Sequence, residues 1–167
     1  AGFDFKNDST VLKEDDTDSI AAVTYEDDGV KIVKKSAGKR LDLTANFTSN
    51  DSFNSDLYTL EMDIEQINGA PMYISTKWRN FVTLNWKADG NIDVNAGKGE
   101  LTGFKNKRVK FKIVMNYKDK YLDIYADGKL VLSRCALRND ALGSYTPNKP
   151  MTMNINMTDA GAANSGM

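Results

Sequence analysis

The sequence predicts an all-β fold, an antiparallel β-sandwich of the jelly-roll type. About ten short stretches alternate apolar and polar residues, the pattern of strands with one buried face. Turn-forming residues separate these stretches at close spacing. No segment shows the three- and four-residue apolar periodicity of a substantial helix. Many short strands with no internal repeat are typical of two packed antiparallel sheets.

The segment from Lys107 to Arg134 gives the clearest strand pattern. It reads as three antiparallel strands joined by two tight turns, with sequences KRVKFKIVMNY, YLDIY and LVLSR. Asp127-Gly128 supplies the pair of positive-φ residues that a type I′ hairpin turn requires. We therefore expect this meander to form a rigid part of one sheet.

The chain before the meander predicts a series of strands and hairpins. Phe3 and Phe5 alternate with Asp4 in an opening strand, and an Asp-Gly turn at Asp28-Gly29 joins the next two strands. Further strands are expected at 40–47, 57–66, 72–78, 81–86 and 91–97, and a loop at 98–106. Trp86 continues the alternation of Val82 and Leu84, which predicts that its ring is buried.

After the meander the sequence predicts a long turn and one more strand. Residues 138–150 contain Gly143, Pro147 and Pro150 as breakers, and residues 151–157 alternate Met with Thr and Asn. A turn of helix is compatible with residues 136–142. We expect one domain over residues 1–158, followed by a flexible tail or linker over 159–167, which suits a module of a larger multidomain protein.

Composition excludes several classes of partner and chemistry. The 22 Lys and Arg residues nearly balance the 23 Asp and Glu residues, so we expect no nucleic-acid partner. No run of about 18 apolar residues is present, so we expect no membrane insertion. The sequence has no histidine, which excludes Ser-His and Cys-His nucleophile pairs and the usual zinc sites. The single cysteine, Cys135, is expected to pack as a small apolar residue.

Three stretches resemble the concanavalin A-like lectin and glucanase superfamily, in particular its laminin G-like bacterial modules. They are FDFKND at the start, LYTLEMDIE in the middle, and the hairpin VKFKIVMNYKDKYLDIYADGKLV. The resemblance implies a concanavalin A-like jelly roll and an extracellular or cell-surface location. It requires no cofactor, but it leaves room for a structural calcium ion near the two termini, with Asp4 as the first-strand ligand. Members usually close with a further strand, whereas this sequence ends in a Gly, Ala and Ser-rich segment.

Glu61, Asp63 and Glu65 form the sharpest chemical pattern. Residues two apart on a strand share a face, so these carboxylates line one side of the strand over roughly 13 Å. Paired carboxylates about 5 Å apart are the machinery of a retaining glycosidase. The pattern is similar to the E-x-D-x-E signature of family 16 glycoside hydrolases, which would make Glu61 the nucleophile and Glu65 the acid/base. An outward face of a half-buried strand is also commonly acidic, and Thr59 and Gln66 stand where aromatic residues usually flank the signature.

A binding module needs aromatic faces for sugar rings and planar polar groups for hydroxyls. One predicted hairpin carries both kinds of side chain: Tyr73, Trp78, Arg79, Asn80 and Asn85. The sequence thus favours a non-catalytic carbohydrate-binding module with a polysaccharide or glycan as partner. The alternatives are a family 16-like hydrolase and a structural or adhesive domain that binds a protein.

Overall fold

The computed structural model describes residues 12–15, 21–27, 29–35, 41–47, 57–77, 82–138, 151–157 and 166–167. Within these ranges the chain forms thirteen strands and no helix. The strands are β1 (Leu12–Asp15), β2 (Ala21–Glu26), β3 (Gly29–Lys34), β4 (Leu41–Phe47), β5 (Leu57–Glu65), β6 (Met72–Lys77), β7 (Thr83–Trp86), β8 (Ile92–Val94), β9 (Gly99–Leu101), β10 (Arg108–Asn116), β11 (Tyr121–Ala126), β12 (Lys129–Ala136) and β13 (Met151–Met157).

The strands form three hydrogen-bonded sheets, and every pairing is antiparallel. Seven strands form one sheet in the order β1-β4-β13-β6-β7-β8-β9. Four strands form a second sheet in the order β12-β11-β10-β5, and β2 pairs with β3. Strand β13 lies between β4 and β6, far from its neighbours in the sequence. The chain reaches this position by a long crossover connection, as in a jelly roll. The structure confirms the predicted all-β, antiparallel jelly-roll sandwich.

One apolar core lies between the seven-stranded and four-stranded sheets. Alternate residues of each strand point into it. On β10, Val109, Phe111, Ile113 and Met115 are buried, whereas Arg108, Lys110 and Lys112 between them are exposed. The ring of Trp86 in one sheet contacts Phe111 in the other at a centroid distance of 5.7 Å, nearly perpendicular. Trp86 is only 2% exposed, which confirms that it is a core residue. The contact fixes the two layers face to face.

The structure confirms the tight turn that the sequence predicts at Asp127-Gly128. Asp127 and Gly128 have φ values of 49° and 78°, the two positive angles of the type I′ turn between β11 and β12. Asp127 also accepts a hydrogen bond through Oδ1 from the Lys110 amide at 3.0 Å. This bond ties the turn to β10.

Strand β9 lies inside the segment that the sequence predicts to be a loop. Residues 99–101 contain one buried apolar side chain, which is too little for a period-two pattern. Gly99 passes directly under Leu132 of β12, since a β-carbon added there would lie 2.7 Å from Leu132 Cδ2. A side chain at position 99 would have to displace the end of the Leu132 side chain, and the low strand propensity of glycine concealed the strand.

The last two residues connect the four-stranded sheet to the β2–β3 hairpin. Gly166 pairs with Val33 and with Ile67, which follows β5. Met167 donates to the Ile32 carbonyl at 2.9 Å and accepts from the Ile32 amide at 2.8 Å. Residues 159–165 of the predicted tail lie outside the described ranges, but Gly166 and Met167 belong to a hydrogen-bonded layer opposite the seven-stranded sheet.

Cys135 is 4% exposed in β12. Burial, followed by the charge of Asp93, raises the pKa of the thiol to about 11, against a smaller opposing effect of Lys98. Because thiolate is the reactive form, we expect the native protein to react with a disulfide reagent at pH 8 about a hundredfold more slowly than the unfolded chain. The raised pKa also means that stability falls as pH rises from 9 towards 11, because the unfolded chain loses this proton first. Equal reaction rates before and after unfolding in urea would contradict the buried position.

Candidate functional site

The face of the seven-stranded sheet that points away from the core carries two rows of polar side chains. Direct cross-strand partners from β4 to β9 define each row, and on the edge strand β1 the two rows continue to Asp15 and Lys13. The first row, in strand order, is Asp42, Asn156, Tyr73, Asn85, Asp93 and Glu100. The second is Thr44, Asn154, Ser75 and Thr83. We call these ten residues the polar face; its first row crosses six strands over about 24 Å.

The polar face follows from the alternation of each strand. On β6 and β7, Met72, Ile74, Leu84 and Trp86 are at most 2% exposed and point into the core. The residues between them must therefore point outward. Every outward residue in the two rows is polar, so the sheet separates an apolar surface from one made of amides, carboxylates and hydroxyls.

Tyr73 and Asn85 lie at the centre of the polar face. They are direct antiparallel partners on β6 and β7, and both are half-buried. Within the described part of the chain, neither side chain makes a hydrogen bond. The structure therefore brings these two predicted site residues together, with the phenol ring and the amide side by side and their polar atoms available to a ligand.

Strands β4 and β13 hold one end of the polar face in place through cross-strand hydrogen bonds. Asn156 donates through Nδ2 to Asp42 Oδ1, and Thr44 donates through Oγ1 to Asn154 Oδ1 at 3.2 Å. Asn154 and Asn156 are 5% and 6% exposed. Among the described atoms, Nδ2 of Asn154 has no acceptor. These bonds fix the orientation of both amides before any ligand arrives.

The other end of the polar face is fixed by turn contacts. Asp93 accepts a hydrogen bond through Oδ1 from the Gly97 amide at 2.6 Å, and Lys87 pairs with Glu100 at 3.2 Å. Asn95 is fully buried and accepts from the Thr83 amide through Oδ1 at 3.0 Å. These contacts hold the turns on either side of β8 in place.

The charges of the polar face are all negative. Asp42, Asp93 and Glu100 carry carboxylates, and the ten residues of the two rows include no lysine or arginine. Lys87 offsets Glu100 from the rim. Lys13 of β1 is the cross-strand partner of Thr44, and Lys77 of β6 pairs with Thr152 in the next row, so lysine positions border the carboxylates.

Four predicted site residues lie outside the described ranges. They are Trp78, Arg79 and Asn80 at the predicted hairpin tip, and Asp4 as the expected calcium ligand. Their roles stay predictions. In the ranges that are described, no group of three or more His, Cys, Asp or Glu side chains is arranged to hold a metal ion. No described helix has the length and apolarity needed to cross a bilayer.

The acidic triplet lies on the solvent side of the other sheet. Glu61, Asp63 and Glu65 are exposed on β5, directly opposite three basic residues of β10. Arg108 donates through Nε and Nη2 to the two oxygens of Asp63, at 3.1 and 3.4 Å. Lys112 lies 3.8 Å from Glu61. The triplet therefore forms a ladder of exposed cross-strand charge pairs.

Gln66, which follows the triplet, is a structural residue. Its side chain is 2% exposed and donates through Nε2 to the carbonyls of Ala70 and Lys87, at 2.9 and 3.0 Å. Its Oε1 accepts from the Asn106 amide at 3.4 Å. These bonds connect three loops to the end of β5, so the Gln66 side chain has a structural role.

The tyrosines of β11 are also engaged with structure. The Arg134 guanidinium lies 4.2 Å from the centre of the Tyr121 ring, and Asp123 accepts hydrogen bonds from Ser133 and from the Arg134 amide. Arg134 has a positive φ of 51° at an irregularity of β12. Tyr125 stays half-buried on the same outward face.

Sequence reasoning missed the carboxylate and amide residues that flank Tyr73 and Asn85. Asp42 and Asn156 are 114 residues apart in the sequence, and sheet order alone places them in one row. A signal was present, because the Met–Asn alternation of 151–157 predicts that Asn154 and Asn156 share the face opposite the methionines.

No protein-family model matches the sequence, and no curated protein matches it. Solved structures do match over nearly the whole chain. A sialidase aligns with 96% of this chain at a TM-score of 0.69 and 16% identity, and this chain spans only 15% of the sialidase's length. The globular domain of T. cruzi calreticulin aligns with 97% of the chain at a TM-score of 0.61 and 11% identity, over 82% of that domain.

A third match is the Crh5 transglycosylase, solved in complex with NAG. It aligns with 97% of this chain at a TM-score of 0.57 and 13% identity, over 75% of the transglycosylase. At these identities the likeness concerns the fold. It supports the assignment of a jelly-roll sandwich, in agreement with the strand order described above.

Proposed function

We propose that this protein is a non-catalytic carbohydrate-binding module and that the polar face is its binding surface. The observation that supports this proposal most directly is the Tyr73–Asn85 pair, which lies at the centre of a row in which every side chain is polar. Among the described residues, neither Tyr73 nor Asn85 uses the polar atoms of its side chain in a hydrogen bond, so these atoms remain for a ligand. A ligand rich in hydroxyl groups would use them.

The chemistry of the polar face matches that of a sugar chain. A phenol ring offers an apolar face for the C–H groups of a pyranose ring. Asn85 offers both donors and an acceptor, and Asp42 and Asp93 are strong acceptors for hydroxyl groups. A surface of about 24 Å has room for several sugar units along the row.

The charge of the polar face favours a neutral glycan. Glu100 pairs with Lys87, but Asp42 and Asp93 lie within the row and would disfavour a uronic or sialic acid residue bound beside them. We therefore expect binding to neutral polysaccharides, with weaker or no binding to polymers that carry a carboxylate on every sugar.

The names of the structural neighbours agree with a carbohydrate ligand. Part of a sialidase, a transglycosylase solved with NAG and a carbohydrate esterase of a Shiga toxin-encoding bacteriophage share this fold. The esterase aligns with 95% of this chain at a TM-score of 0.58 and 11% identity. An extracellular or cell-surface location, as part of a larger protein, would suit such a module.

The acidic triplet supports the non-catalytic part of the proposal. A hydrolytic pair needs an acid kept protonated in a secluded site. Glu61 and Glu65 are instead exposed, and Asp63 between them is held by Arg108. Pairing between exposed charges is sufficient to explain the acidic pattern of β5, without a catalytic role.

Titration calorimetry with a panel of polysaccharides tests the proposal. We expect binding to at least one neutral glucan, mannan or chitin oligosaccharide, and at least tenfold weaker binding to alginate or polygalacturonate of the same length. We also expect no release of reducing ends from the bound polymer. No binding across the panel would refute the module. Release that is lost in Glu61→Gln but kept in Glu26→Gln, an exposed glutamate of β2 outside the polar face, would establish the hydrolase instead.

A further inference from the structure

The turn between β5 and β6 contains the only Asn-Gly dipeptide in the sequence, Asn68-Gly69. The two residues have φ values of 52° and 65°, and the Ala70 amide donates to the Ile67 carbonyl at 3.2 Å. These are the features of a type I′ turn, in which asparagine and glycine are the preferred central pair. The dipeptide therefore follows from the backbone geometry of the turn.

Glycine is required at the second central position of this turn. A β-carbon at Gly69 would lie 2.9 Å from the Ala88 carbonyl oxygen, and the positive φ would add strain. The same lack of a side chain makes Asn-Gly the dipeptide most prone to deamidation, because nothing shields the glycine nitrogen from the asparagine side chain. The fold thus places its most labile dipeptide where no other residue than glycine fits.

Deamidation takes place between two neighbouring groups of the dipeptide. The Gly69 nitrogen attacks Cγ of Asn68, the Cγ–Nδ2 bond breaks, and the Gly69 amide proton leaves with the side-chain NH2 group as ammonia. Water then opens the resulting succinimide at either carbonyl, which gives aspartate or isoaspartate. Isoaspartate adds one methylene to the main chain, so it cannot keep the geometry of a type I′ turn.

The structure holds the attacking nitrogen away from this reaction. The Gly69 amide donates to Oδ1 of Asn106 at 2.7 Å, and Gly69 is buried although Asn68 is exposed. The nitrogen must lose its proton to become a nucleophile, and a buried, hydrogen-bonded amide does so only when the structure opens locally. Movement of the nitrogen towards Cγ would also break this hydrogen bond.

Asn106 is itself held in position as an acceptor. Its backbone has a φ of 50°, and its amide donates to Oε1 of Gln66 at 3.4 Å. The Gln66 side chain also donates to the Ala70 carbonyl at 2.9 Å, directly after the dipeptide. Asn106 and Gln66 therefore fix the turn together.

We propose that Asn68 is a latent modification site and that the Asn106 side chain keeps it intact in the folded protein. Local opening that separates Gly69 from Asn106 would free the nucleophile, and isoaspartate would then prevent the turn from re-forming. The modification is one-way, so isoaspartate at position 68 accumulates with the time that the turn spends open. Asn106 acts through Gly69 and is a positioning residue. The site is separate from the polar face, so it stands whether or not the protein binds glycans.

Incubation of the full chain at pH 8, followed by peptide mapping with mass spectrometry, tests the proposal. We expect Asn68 to deamidate about tenfold more slowly, or slower still, in the native protein than in the same chain unfolded in urea. Asn106→Gly removes the acceptor but tolerates the positive φ, so the native rate should rise about fivefold or more, and amide exchange at Gly69 should become faster with it. Asn106→Asp keeps an acceptor oxygen and should protect Asn68 as wild type does.

Asn116→Ala is the matched control, because Oδ1 of Asn116 accepts from the Asp119 amide at 2.8 Å in a different turn. This variant should lower stability without changing the rate at Asn68. The proposal is overturned if native and unfolded chains deamidate at equal rates, if Asn106→Gly leaves the rate unchanged, or if Asn116→Ala raises it equally. If Asn106→Gly fails to fold, amide exchange of the wild type decides, because an unprotected Gly69 amide would overturn the proposal.

Discussion

Replacing Gly90 with alanine should destabilise the protein by about 3 kcal/mol or more, lowering its melting temperature by about 6–12 °C. Gly90 has a φ of 84°, and a β-carbon there would lie 2.2 Å from the Lys105 amide nitrogen and 2.3 Å from its α-carbon. Backbone atoms cannot rotate away as a side chain can. The 87–91 turn, closed by the Gly90 amide on the Lys87 carbonyl at 2.9 Å, would have to shift.

Gly103 offers a matched control for this substitution. It has the same φ of 84°, but nothing lies within 4 Å of the position of an added β-carbon. Gly103→Ala should therefore cost only the strain of a left-handed alanine, about 1 kcal/mol. Urea unfolding of both variants measures the difference. Equal losses would mean that the close approach of Gly90 to Lys105 is wrong.

Most of the fold could be predicted because its signals are local. The alternation around Trp86 and the Asp127-Gly128 turn each depend on a few adjacent residues, and both predictions are confirmed. Strand β9 was missed because its signal is a contact between Gly99 and Leu132, which are far apart in the sequence. The pairing of Gly166 with Ile67 was missed for the same reason.

The candidate site could be predicted only where it lies on consecutive strands. Tyr73 and Asn85 were recognised together because β6 and β7 are neighbours in both sequence and space. Asn156 joins them because β13 inserts between β4 and β6, an order that no local pattern specifies. Glu61 shows where a local pattern leaves two interpretations open. Its acidic pattern is similar to a catalytic signature, and its cross-strand neighbours, above all Lys112 and Arg108, also account for it as charge pairing, so the catalytic alternative stays a prediction.

The calorimetric titration of a neutral oligosaccharide into wild type, Tyr73→Ala and Tyr125→Ala tests the central proposal most directly. Tyr73 and Tyr125 are both half-buried tyrosines on outward faces, one in each sheet. Loss of the Tyr73 ring removes the aromatic platform of the polar face and should weaken binding at least tenfold, about 1.4 kcal/mol. Tyr125→Ala should bind as wild type does. Unchanged binding by Tyr73→Ala, or a loss confined to Tyr125→Ala, would contradict the assignment of the polar face.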